Sequence, residues 1–158
     1  MPTASGIRLK AYWQTKAEAG RVPMRSEIEP AEMRPWLPDL MIAEVQPDGC
    51  FRVRLAGTQV TRRLGWEPTG ETICPDTPES RLGVIANLMR EAIIEGLPTV
   101  GRIEYPGCVD SFDGIDCTVV PLRLSEDAGV SQLMVAMDFV FAATSLDGHD
   151  HLGNGTGL

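Results

Sequence analysis

From Phe51 to Thr58 the chain reads Phe-Arg-Val-Arg-Leu-Ala-Gly-Thr, an apolar and charged alternation that runs straight into a glycine and a hydroxyl residue. Side chains of a strand alternate between its faces, so Phe51, Val53 and Leu55 fall on one side and Arg52 and Arg54 on the other. Such a strand must lay one face on a core. The apolar run Leu40–Val45 precedes it. Between the two, Pro47-Asp48-Gly49 offers a preset φ and then a residue that accepts positive φ, which predicts a hairpin. With a three-residue loop, Glu44 lies across from Arg52, and Met41, Ala43 and Val45 share a face with Phe51, Val53 and Leu55.

Leu9, Tyr12, Trp13 and Ala17 recur at helical spacing and predict an amphipathic helix over residues 6–19, stopped by Gly20. Pro23, Pro30, Pro35 and Pro38 then cut the chain into short turns, in which Ile28, Met33, Trp36 and Leu37 are placed to plug a core. After the hairpin, Thr58 is expected to cap a short helix carrying Val60 and Leu64, with Gly65 as its stop. That glycine-to-helix turn lacks the Lys-Ser/Thr pair of a phosphate loop. A longer helix is predicted over residues 78–95, with Thr77 as cap, Pro78 in the first turn and Gly96 then Pro98 at its end. Its apolar stripe is Leu82, Ile85, Met89, Ala92 and Ile93, broadened by Val84 and Leu88. Further strands are expected at residues 99–105, 115–122 and 132–141, with Asp113-Gly114 helping the first turn into the second. The order strand, strand, helices and three strands predicts an α+β fold, with a five-stranded, largely antiparallel sheet and helices on one face. Residues 1–143 form one domain in this reading, with 1–38 as a helical cap, 39–143 as sheet and helices, and 144–158 as a flexible, glycine-rich tail.

Charge narrows the function. A net charge of −8 without a basic stripe opposes phosphate backbones, so no nucleic acid is expected. No apolar run approaches the roughly 18 residues of a membrane span, and the first residues lack a signal peptide's charged and apolar regions, so the expectation is a cytoplasmic protein without membrane attachment. Cys50, Cys74, Cys108 and Cys117 contain no C-x-x-C pair, and His149 and His151 alone could add nitrogen ligands. The cysteines therefore read as small buried or half-buried thiols in a reducing compartment, not as a zinc site. Asp110, Asp113 and Asp116 recur around a turn, but the glycine and closing glutamate of an EF-hand are misplaced, leaving a solvated hairpin. Ser111 has no elbow glycines.

The chain resembles a PAS sensor domain of the single-domain bacterial type with a Tyr-Trp helix in front. The resemblance rests on Tyr12-Trp13, Gly20 to Arg25, Ile28-Glu29-Pro30, Leu37-Pro38, Phe51 to Thr58, Gly65 and Thr69-Gly70, and beyond residue 70 on element order. It implies a five-stranded antiparallel sheet, a small-molecule pocket between sheet and helices, and a sensing or protein-interaction role. It implies no particular cofactor. PAS proteins that hold haem often do so with a histidine from the long helix, and residues 78–95 contain none, while Thr72-Ile73-Cys74-Pro75-Asp76 departs from the Asn-Cys-Arg-Phe-Leu-Gln motif of flavin-binding light sensors.

An apolar pocket is the best site expectation, lined by Val53, Leu55, Val60, Leu64, Trp66, Ile85, Leu88, Met89, Val135 and Met137. The leading function is a sensory module that binds a small apolar or amphipathic ligand and signals through a partner protein or homodimer contacting the Tyr12-Trp13 helix. The alternative is a ligand-free interaction module with a filled interior. An enzyme ranks third. Its best nucleophile would be Cys74, with no oriented base in view.

Overall fold

The computed structural model describes residues 4–77, 82–104 and 114–141. Helix α1 spans Ser5–Lys16, followed by four short 3₁₀ turns between Glu18 and Asp39, strand β1 (Leu40–Val45), β2 (Phe51–Ala56), helix α2 (Thr58–Leu64), β3 (Thr72–Ile73), helix α3 (Gly83–Glu95), β4 (Thr99–Ile103), β5 (Gly114–Arg123) and β6 (Val130–Val140). The strands form one antiparallel sheet in the order β3-β2-β1-β6-β5-β4. Among the described residues it therefore has six strands, not five. The additional one, β3, is only two residues long and carries no alternation for a sequence reading to detect.

The β1–β2 hairpin closes as its residues dictate. Gly49 takes φ 88°, its N–H donates to the Gln46 carbonyl at 3.0 Å, and the Asp48 carboxylate accepts from the Cys50 N–H at 3.0 Å. Glu44 does lie across from Arg52, although its carboxylate meets Arg54 at 3.5 Å. The register then slips. Ala43 pairs with Val53 but Ile42 pairs with Leu55, so Arg54 is one residue too many, and a bulge of this kind turns everything after it to the other face. Phe51 and Val53 stay in the core, whereas Leu55 is 55% exposed.

The sheet is covered on both faces. Helices α2 and α3 close one side over a cluster that includes Met41, Phe51, Val53, Ile85, Met89, Val119 and Val135. On the other side, α1 and the 3₁₀ turns bring Leu9, Trp13, Ile28, Met33 and Trp36 against Leu40, Val120, Leu122, Met134 and Ala136. The expected plugs Ile28, Met33 and Trp36 are buried, while Leu37 is half-buried. Because the cap takes the face opposite α3, the middle of β5 and of β6 is buried on both sides and reads as a continuous apolar run.

The long helix is shorter than expected. α3 begins at Gly83 after Leu82, and the Thr77 hydroxyl donates to the Pro75 carbonyl at 3.2 Å instead of capping it; nor does Thr58 cap α2, where it is the first helical residue and Gly57 holds the cap position. Pro78 lies outside the described residues, as do Cys108, Asp110, Ser111, Asp113, His149, His151 and the proposed tail. The stripe on α3 packs as expected at Leu82, Ile85, Met89 and Ala92, but Val84 faces solvent.

The cysteine reading is corrected at two positions. Cys50 and Cys74 form a disulfide, with Cα atoms 4.4 Å apart. Phe51 pairs with Ile73 across β2 and β3, so the residues just outside that pair face each other. Without β3 in view, that juxtaposition is invisible. Cys117 is a free, buried thiol whose pKa is pushed up chiefly by burial.

Candidate functional site

Seven of the ten expected pocket residues, Val53, Val60, Leu64, Ile85, Met89, Val135 and Met137, meet in the buried cluster under α2 and α3, and Trp66 and Leu88 pack partly buried against it. Leu55 does not join them. The bulge carries it to the opposite face, where it lines a different space.

That space is a groove of about 350 Å³ between the cap and the sheet. Its cap wall comes from Pro30, Met33, Leu37 and Pro38, and its sheet wall from Leu40, Ile42, Leu55 and Met134. The prolines set the cap wall, since Pro30 and Pro38 each sit in the first turn of a short 3₁₀ segment where a missing N–H is harmless. At the sheet end, Ala56, Gly57 and Thr58 close the groove. Gly57 is needed there because a β-carbon would overlap the Pro38 carbonyl, and its N–H donates to the Leu40 carbonyl at 2.8 Å. Arg25 and Arg34 are the charged residues of the lining. Neither side chain has an ion pair or hydrogen bond among the described residues. Sequence reasoning missed this groove because it depends on the cap lying on the far face and on the bulge, neither of which leaves a local signal.

The cap is fastened at several points. The Asp138 carboxylate accepts from the Ser5 and Gly6 N–H groups at 2.9 and 2.8 Å, at the positive end of α1. Burial, ahead of the neighbouring Asp39 and Asp116 charges, raises the Asp138 pKa despite those two hydrogen bonds. Gly6 has no room for a β-carbon, which would overlap the Thr118 hydroxyl. The Trp13 indole N–H donates to the Pro121 carbonyl at 2.7 Å. Pro121 sits beyond the last β4 partner of β5, so its missing N–H breaks no ladder bond to β4. Tyr12 donates to Glu32 and accepts from the Glu29 N–H, and burial is the first cause of its raised pKa. Farther along, Arg123 donates to the Val22 carbonyl at 2.8 Å. Trp13, expected to offer itself to a partner, is only 4% exposed and is committed to the chain's own interior.

Other expected chemistry is dispersed. Cys74 is disulfide-bonded and holds no free thiolate, which removes it as the nucleophile and as a flavin attachment point. Asp116 pairs with Arg102, at 2.6 Å. Among the described residues no His, Cys, Asp and Glu cluster suited to a metal occurs, and no helix is long and apolar enough to cross a membrane.

A six-stranded antiparallel sheet with helices packed on it and an N-terminal cap defines a PAS-like α+β module. A family model described as PAS domain matches residues 1–98, and the chain belongs to that family, whose members are in general sensory rather than catalytic. Among solved structures, the chain is similar to the crystal structure of a sensory box sensor histidine kinase from Vibrio cholerae, with 15% identity, 82% of this chain and 99% of that one covered, and a TM-score of 0.45. A search of curated proteins gives no match.

Proposed function

We propose that this PAS module senses a small apolar or amphipathic molecule and reports its presence to a partner protein through the N-terminal cap. The observation that carries this reading is the groove, whose two walls belong to different parts of the chain: the cap and the β1–β2 and β6 sheet. A ligand filling it contacts both walls at once, and it shifts any equilibrium in which the cap loosens by its difference in affinity for the two states. The volume falls within the range of about 300 to 1,000 Å³ usual for ligand pockets.

Native mass spectrometry of the purified chain, with thermal shift against a panel of small apolar and amphipathic molecules, tests it. A retained or added molecule with a raised melting temperature is expected. No bound mass and no shift across the panel would sink the sensing reading. It would favour the ligand-free interaction module, which the close packing of Val53, Val60, Ile85, Met89 and Val135 supports on the α3 face.

A further inference from the structure

We propose that the groove selects a small amphipathic carboxylate of about ten carbons, with its chain on Met33, Leu40, Ile42 and Leu55 and its carboxylate facing Arg25 and Arg34. The inference rests on the ligand-sensing reading and adds the ligand's charge. Three observations converge on it.

The first is size. At about 30 Å³ for each water-sized unit, the 350 Å³ groove accommodates roughly a dozen non-hydrogen atoms, the number in a ten-carbon acid. The second is the sign of the lining. The chain as a whole carries −8, yet the charged residues lining this groove are two arginines and no carboxylate. The third is that neither side chain has an ion pair or hydrogen bond among the described residues. Most other described arginines have a partner, as Arg54 has Glu44, Arg90 has Asp76 and Arg102 has Asp116, whereas Arg25 and Arg34 have none. A guanidinium binds a carboxylate through two parallel N–H donors, a geometry that neither an alcohol nor a cation reproduces.

Isothermal titration of the full chain with decanoate and with decanol separates the charge from the apolar contact. Decanoate is expected to bind about tenfold or more tightly than decanol, and R25Q/R34Q is expected to bring the two together. Leu55 is exposed, so Leu55→Trp leaves the fold intact while its indole occupies the groove, and it is expected to abolish decanoate binding. Equal affinity for decanoate and decanol in the unaltered chain would overturn the carboxylate assignment and leave the apolar-ligand reading standing. Decanoate binding that survives R25Q/R34Q, or that survives Leu55→Trp, would overturn the placement in this groove. If neither molecule binds, the carboxylate assignment falls, and the wider panel decides whether the sensing reading falls with it.

Discussion

Asp138 couples three features in one side chain: it is half-buried, it faces other carboxylates, and it holds the first turn of α1. Its folded-state pKa is raised above the ordinary 3.8, with desolvation the largest cause. The folded state therefore binds a proton that the unfolded chain has already released. The stability tied to that proton is fully present below about pH 3.8 and is lost as the pH rises through the folded-state value. Urea melts of the wild type and of Asp138→Asn, compared from pH 3.5 to 7, should show the wild type losing stability relative to the variant as the pH rises. A difference that stays flat would mean that Asp138 titrates alike in both states. None of this was legible at the residue level, because Asp138 and Gly6 are 132 positions apart. What was legible were residues whose roles are local, such as Gly49 in the hairpin turn and Gly65 and Gly96 closing α2 and α3 with φ 83° and 65°.

At the scale of elements, α1 packs on the sheet face opposite α3. It puts Leu9 and Trp13 against Val120, Leu122 and Met134, and covering each such side chain contributes about 1.5 to 3 kcal/mol. Removing residues 1–16 should therefore cost several kcal/mol, a large part of the roughly 5 to 15 kcal/mol that a domain has. It should also leave an apolar sheet face open to association. Thermal unfolding with light scattering checks this: a truncated chain that melts like the full one, and scatters no more light than it does, would show that α1 is dispensable to the fold. The helical period of Leu9, Tyr12, Trp13 and Ala17 marked this helix and its apolar side. Period alone could not say that the side faces the sheet and not a partner.

For the molecule as a whole, the Cys50–Cys74 bond matters most through the unfolded chain. It closes a loop across a sequence separation of 24, and restricting an unfolded loop of that order stabilises the native state by about 3.5 kcal/mol. A dithiol reductant should lower the urea midpoint accordingly, and Cys74 should react with iodoacetamide only after reduction. Reaction of Cys74 without reductant, or an unmoved midpoint, would contradict the pairing. The bond pins β2 to the edge strand β3 on the same sheet whose opposite faces bear α3 and the cap, so edge, core and groove share one framework.

Local patterns were enough for the α+β class, the hairpin and its Glu44–Arg52 register, the apolar stripe of α3, and the apolar character of nine named residues that pack into the core at the α3 face. Each of these follows from a repeat of 2 or 3.6 residues, or from a turn residue with a particular φ, and such signals are written within a few neighbours. The bulge that expels Leu55, the two-residue strand that brings Cys50 to Cys74, and the choice of sheet face by the cap were decided only in three dimensions. They depend on which distant segments meet, and the free energy that settles them lies in contacts between residues that the sequence keeps far apart.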